Sequence, residues 1–282
     1  MIDVLSGGLF TTIQDLGRVG YRKYGVPVSG AMDDYSARLA NRLVGNKRSN
    51  AVLEITFIGP VLRFTSSTEI AITGAGFSPT LNNQEVPLNT RLQIDKNSIL
   101  KFGLPNYGLR AYLSVSGGLQ TEKILGSYSY YRGITIKSSV ETGDQLPIIE
   151  HTYAPERITS SVKIKRSHFS NQQIEVFKGP EFDQLPKEYQ ERLLNTNVVV
   201  LAESNRMAYM LSGFENISAK EIITAPVRPG IVQLTPSGKC IVLARDAQTT
   251  GGYARVLQLT ERGINALVQK KANEFIHFSL VQ

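Results

Sequence analysis

The residues best suited to chemistry lie in the run CIVLARDAQTTGGYA, residues 240 to 254. Cys240 to Ala244 read as a buried strand. The strand gives way to Arg245, Asp246, Gln248, Thr249 and Thr250, then to Gly251, Gly252 and Tyr253. An acid, an amide and two hydroxyls delivered onto a Gly-Gly turn can hold a small polar ligand. The glycines let backbone N–H groups approach it, because no Cβ stands in the way. The same residue types also build an ordinary hairpin turn with polar tips, and the sequence leaves both readings open.

Two other stretches share this grammar. GGLFTTIQDLGRVGY (7–21) ends in Gln14, Asp15, Gly17, Arg18 and Gly20. Asp15 and Arg18 can converge on one ligand across the glycine, or pair with each other and fix the turn. Ser204, Asn205 and Arg206 form a third polar knot after the strand VVVLA. Ser29 and Asp33, in VPVSGAMD, precede a helix whose N-terminus can hold an anion.

Other chemistries have no signature. No GxxxxGK[ST] loop, no GxGxxG opening a helix and no GxSxG elbow occurs. His151, His168 and His277 lack the spacing of a zinc site, so no metal site is expected. The single cysteine, Cys240, sits in an apolar run and reads as an inert core thiol.

The elements that must position these residues are mostly strands. From 51 to 117 short segments rich in Ile, Leu, Val, Thr and Phe alternate with Gly, Pro or Asn. Without intervening helices they argue for a barrel or sandwich rather than a parallel α/β sheet. The clearest helix lies within 25–46, capped by Asp33 or Asp34 and ended by Gly45. Short helices are expected within 184–194 and near 261–270. Residues 119–150 read as irregular, with three tyrosines and an arginine in LGSYSYYRG that suit either a pocket rim or a wet loop. The polar stretch 151–173 reads as a linker between an N-terminal subdomain, 1–155, and a C-terminal one, 174–282. A weak echo between LEITFIGPVLRF and IEVFKGPEF fits two similar barrels in tandem.

The chain has 282 residues, 41% hydrophobic and 20% charged, with a net charge of +7. This is ordinary globular usage. The basic residues are dispersed rather than striped, which argues against nucleic acid and suits an anionic small substrate or an acidic partner. No signal peptide and no membrane-length apolar run is visible, so a soluble, cytoplasmic protein is expected.

Collinear motifs carry a resemblance. TTIQDLGRVGY, GVPVSGAMD, LANRLVGN, LEITFIGP, ITGAG, RAYLSVSGG, LGS, GPEFD, SNRMAY, PG followed by VQ, and DAQTTGGY run from about residue 7 to 253. In this order they resemble the family of the 5-oxoprolinase C-subunit. It is also known as KipA-like, biotin-dependent carboxyltransferase-like or allophanate hydrolase subunit 2. The resemblance implies a mainly β, cyclophilin-like β-barrel architecture, with two tandem barrel-like subdomains and a few short helices. It implies a partner resembling the 5-oxoprolinase B-subunit (KipI-like), usually with the A-subunit, and a complex that cleaves 5-oxo-L-proline using ATP and Mg. No cofactor would be bound by this chain alone. It also implies two alternatives: carboxyl transfer from carboxybiotin to urea, or non-enzymatic regulation of a KipI-like partner.

On the matching motifs, Asp15 and Asp246 would be the base or a Mg-ATP ligand. Arg18 or Arg206 would hold the substrate carboxylate. Gln14, Gln248 and Thr249 would orient the amide, with Ser29, Asn205, Thr250, Gly251, Gly252 and Tyr253 completing the binding set. The chain departs from the family pattern at Ala254, where Pro is usual, at Tyr128–Arg132, and within RGINALVQKKANE.

Overall fold

The computed structural model describes residues 1–150, 161–214, 217 and 219–281. The chain divides into two compact units: Met1–Arg18 with Ser29–Arg166, and Val19–Val28 with Ser167–Gln282. The short segment Val19–Val28 therefore leaves the first unit and joins the second. Residues 151–160 of the expected linker lie outside the described residues. Just after them, Ser161 bridges to Thr90 and the Val162 N–H donates to Asn89, within the first unit.

The first unit is two antiparallel sheets and one helix. Its elements are β1 (Ile2–Ser6), β2 (Phe10–Gln14), α1 (Asp34–Leu43), β3 (Val52–Thr56), β4 (Val61–Phe64) and β5 (Thr68–Gly74). There follow β6 (Thr80–Leu81), β7 (Gln84–Glu85), β8 (Arg91–Ile94), β9 (Ile99–Lys101), β10 (Arg110–Val115) and β11 (Gln145–Leu146). One sheet has the order β11-β1-β4-β9-β6-β7, the other β2-β3-β10-β5-β8. Alternation along β3 sets the layers. Leu53 and Ile55 enter the core with Ile2, Val4, Leu62, Phe64, Ile70, Ile72 and Leu113, while Val52 packs with Ala37, Ala40 and Tyr112 under α1. Glu54, also on the α1 side, points away from the main core.

α1 forms where its local chemistry demands. The Asp33 side chain accepts from the Ser36 N–H at 3.1 Å and Gly45 follows the end at φ +75°. The LANRLVGN motif then ties the helix end to β10. Asn46 Nδ2 donates to the Val115 carbonyl at 2.7 Å, Gly117 N–H donates to Asn46 Oδ1 at 2.8 Å, and Ser114 Oγ donates to Asn41 Oδ1 at 2.6 Å. Two of the motifs behind the family resemblance are thus one structural network.

The second unit is a closed barrel. Its elements are α2 (Ser167–Ser170), β12 (Gln173–Lys178), α3 (Lys187–Asn195), β13 (Val198–Val200), β14 (Ala208–Ser212) and β15 (Ala225–Pro226). They continue with β16 (Ile231–Leu234), β17 (Cys240–Leu243), β18 (Thr250–Gly251), β19 (Ala254–Leu259), α4 (Glu261–Leu267) and β20 (Phe275–Leu280). The barrel order is β12-β19-β16-β17-β14-β13-β20, closed by the parallel β12–β20 pair, and β15 with β18 forms a separate ribbon. Inward residues such as Ile174, Val176, Val232, Val242, Val256, Ile276 and Phe278 are fully buried and fill the barrel. Cys240 is among them, and burial pushes its thiol pKa up, away from reactivity. The fold is mainly β with a few short helices, as the sequence implies. Among the described residues no helix is long and apolar enough to cross a membrane.

Candidate functional site

In the first unit, Asp15 is a hub. It follows β2 and is buried, and its carboxylate accepts four hydrogen bonds. Oδ1 takes Ser127 Oγ at 2.5 Å, Ser129 Oγ at 2.7 Å and Gly17 N–H at 2.8 Å; Oδ2 takes the Tyr128 N–H at 2.8 Å. The Asp15 N–H donates to Ser129 Oγ at 3.1 Å. Arg18 is also fully buried, and its Nη2 donates to the Ser129 carbonyl. Gln14 is enclosed, donating to Thr12 Oγ1 at 3.1 Å. The QDLGR run and the LGSYS loop thus form one hydrogen-bonded block. Tyr128 and Tyr130 pack on the core of this unit.

The VSGAMD segment is pinned beside the same turn. Ala31 N–H donates to the Asp15 carbonyl at 3.0 Å. A Cβ on Gly30, whose φ is +91°, would stand 3.1 Å from Gly17 N, so glycine is required for this approach. Ser29 holds φ +58°, uncommon for a non-glycine residue, and its buried Oγ has no hydrogen-bond partner among the described residues. From below, Glu54 Oε2 accepts the Met32 N–H at 2.6 Å and the Tyr112 hydroxyl at 2.9 Å; that hydroxyl accepts the Asp33 N–H at 2.7 Å. Burial, with Glu54 nearby, holds the Tyr112 pKa well above the ordinary value.

In the second unit, Arg206 and Asp246 meet each other. Nε donates to Oδ2 at 2.8 Å and Nη2 to Oδ1 at 3.0 Å, and the Asp246 N–H donates to the Arg206 carbonyl at 2.9 Å. Both residues are buried. Asn205 is turn chemistry: its Oδ1 accepts the Met207 N–H at 2.8 Å. Gln248, Thr250 and Tyr253 are exposed along the glycine run, with Thr249 half-buried. A Cβ on Gly251 would lie 2.7 Å from Gln233 Nε2, the tip of that side chain, and nothing crowds Gly252 closer than 3.6 Å. Gln233 is the residue of the PG…VQ motif, so that motif and TTGG meet at this point.

The structure gathers Gln14, Asp15, Arg18 and Ser29 in the first unit. It gathers Asn205, Arg206 and Asp246 in one corner of the second, with Gln248–Tyr253 following Asp246 along the chain.

The second unit also holds a cleft of about 600 Å³. Its rim continues from the glycine run: Thr250 and Gly251 pair with Pro226 and Ala225, and Val227 N–H donates to the Thr249 carbonyl at 3.0 Å. Four cationic residues line it, Arg22, Lys178, Arg228 and Arg255. Arg255 is neutralised by Glu181, with Nη2 to Oε1 at 2.7 Å and Nε to Oε2 at 3.0 Å. Hydrogen bonds from Arg255 hold the Glu181 pKa down and raise that of Arg255. These cations come from RKY, FKGP, VRPG and YARV, scattered through the chain. The Gly-Pro of GPEFD marks part of this wall, but only the folding of the unit brings the cations together.

A two-unit, mainly β chain with this barrel and these clustered motifs has the architecture of a carboxyltransferase domain. The family model "Carboxyltransferase domain, subdomain A and B" matches residues 24–280, and the chain belongs to this family. It is 32% identical over 284 residues to the 5-oxoprolinase C-subunit of Escherichia coli, covering 99% of this chain and 90% of that protein. It is 46% identical over 131 residues to the urea amidolyase of Saccharomyces cerevisiae, covering 46% of this chain and 7% of that protein. The crystal structure of TTHA0988 superposes with a TM-score of 0.89 at 30% identity; it covers 99% of this chain, which spans only 56% of that one. The urea amidolyase of K. lactis gives 0.87 at 29% identity, covering all of this chain and 19% of that one. The resemblance read from the motifs is met by these comparisons.

Proposed function

We propose that this chain is one component of a cytoplasmic, ATP-dependent 5-oxoprolinase that opens 5-oxo-L-proline to L-glutamate. It is inactive without partners resembling the B-subunit (KipI-like) and the A-subunit of that enzyme. The observation that carries this reading is the reach of the match to the 5-oxoprolinase C-subunit, over 99% of this chain and 90% of the relative. A lactam carbonyl is a poor electrophile. ATP and Mg, used by the assembled complex, would convert its oxygen into a phosphorylated leaving group. ADP leaves as the oxygen is phosphorylated; one water then attacks the carbon and the ring C–N bond breaks to leave an acyl phosphate, and a second water releases phosphate and L-glutamate. The protein must orient the lactam and hold its carboxylate.

Within this chain Asp15 and Asp246 serve that task by positioning. Four donors hold Asp15 and a guanidinium fork engages Asp246, so each carboxylate fixes the backbone around it. The exposed Gln248, Thr250 and Tyr253, with the backbone of Gly251 and Gly252, are the groups this chain offers to the lactam amide.

The second reading is carboxyl transfer to a urea-like acceptor. It is favoured by the 46% identity to urea amidolyase over 131 residues. Omitting each partner in turn from an ATP-dependent glutamate-release assay tests the first reading. Activity that requires all components supports it; activity undiminished without this chain removes it.

A further inference from the structure

We propose that the cleft of the second unit is a binding site for a compact organic carboxylate, held by Arg22 and Arg228. The choice of 5-oxo-L-proline as the first carboxylate to try rests on the function proposed above; the site itself does not.

Charge selects the ligand class. Of the four cations, Arg255 is matched by Glu181, and Lys178 lies 3.0 Å from Asp183. Arg22 and Arg228 have no acidic partner among the described residues. Both are nonetheless held in place. Arg22 Nη2 donates to the Val227 carbonyl, so its guanidinium rests on the residue that precedes Arg228. Arg228 Nε donates to Gln258 Oε1 at 3.0 Å, and Gln258 is fixed in turn through Nε2 to the carbonyls of Pro229 at 3.1 Å and Leu259 at 2.9 Å. Two tethered guanidiniums with remaining N–H groups suit a planar oxyanion, which they can grip through paired donors.

The walls select its body. Pro180 and Pro226 are exposed apolar lining residues, and Phe177 is 51% exposed beside them, over the buried Val227, Ile231 and Leu257. A strand phenylalanine left half in water beside two tethered arginines offers a face for an apolar ring. A cleft of about 600 Å³ is at the scale of small-molecule sites. A small ring bearing one carboxylate fits both features.

The test is calorimetric titration of the full chain with 5-oxo-L-proline, with 2-pyrrolidinone (the same ring without the carboxylate) and with inorganic phosphate, repeated on Arg22→Gln and Arg228→Gln. Both substitutions are at partly or fully exposed side chains, and unchanged thermal melting will confirm folding. The expected result is saturable, salt-sensitive binding of 5-oxo-L-proline, at least tenfold weaker binding of 2-pyrrolidinone, and a loss of about tenfold in each variant. Equal binding of the neutral lactam, unchanged affinity in both variants, or no binding at all overturns the site. Phosphate binding as tight as the carboxylate, with the same arginine dependence, overturns the ligand class. In the assembled complex, lactam cleavage with unchanged KM in both variants sinks the site and leaves the proposed function standing. Arginine-dependent carboxylate binding by a chain whose complex does not cleave the lactam does the reverse.

Discussion

Arg206 grips Asp246 by a two-pronged contact, Nε to Oδ2 at 2.8 Å and Nη2 to Oδ1 at 3.0 Å, with both side chains buried. Residue chemistry alone would assign the arginine to a substrate carboxylate and the acid to general base or metal. The fold instead pairs them and thereby fixes the strand end that leads into the glycine run. Asp246→Asn removes the charged acceptor of two hydrogen bonds from a buried guanidinium, at a cost of about 1.5–3 kcal/mol. Urea denaturation of the variant measures this; a loss below about 1 kcal/mol, typical of an exposed pair, contradicts it.

Asp15 gives a parallel case in the first unit. Three of its four donors, on Ser127, Tyr128 and Ser129, lie more than a hundred positions away, so Asp15→Asn places an amide N–H₂ against groups that also donate. The expected destabilisation is about 2–3 kcal/mol. Amide hydrogen exchange at Tyr128 and Ser129 accelerates in the variant. Unchanged exchange there contradicts the anchoring role.

Tyr112 makes stability depend on high pH. Its pKa is raised in the folded chain, so its contribution is intact below the ordinary value of 10.0. It is lost as pH rises from that value toward the folded pKa, because the unfolded chain ionises first. Tyr112→Phe flattens this alkaline decline and costs about 1–3 kcal/mol at neutral pH, since the Asp33 N–H and Glu54 each lose a partner. Thermal melts of parent and variant between pH 8 and about 11 give the comparison. Parallel curves count against the assignment.

Glu181 acts at the other end of the scale. Its pKa is lowered by hydrogen bonds from Arg255, so its contribution is present above the ordinary value of 4.5 and is lost as pH falls through the folded pKa. Glu181→Gln therefore melts lower than the parent at pH 6 and converges with it in acid. A constant gap across that range contradicts the pairing.

The elements were legible where local chemistry decides them. The helix capped at Asp33, the strands of 51–117 and the hairpin β16–β17 all follow from turn residues and apolar alternation. So does the placement of Glu54 away from the main core, set by its alternation with Leu53 and Ile55. The partners of polar residues were not legible. That Asp15 serves Ser127 and Ser129, or that Arg206 serves Asp246, depends on contacts 112, 114 and 40 residues apart. The cleft cations were missed for the same reason: no spacing in the chain connects Arg22 with Arg228. The Tyr128–Ser129–Tyr130 departure reads from sequence as a candidate pocket rim, yet Ser129 is buried and Tyr128 and Tyr130 lean on the core.

The most direct measurement sets the two enzymatic readings side by side. The chain, assembled with partners resembling the B- and A-subunits, is given 5-oxo-L-proline with ATP and Mg, and separately urea with ATP, Mg and labelled bicarbonate. The proposed function predicts glutamate release coupled to ADP formation in the first reaction, with no need for bicarbonate or a biotin-bearing protein, and no label fixed into urea in the second. Label incorporation into urea, with 5-oxo-L-proline untouched by the same properly assembled complex, contradicts it.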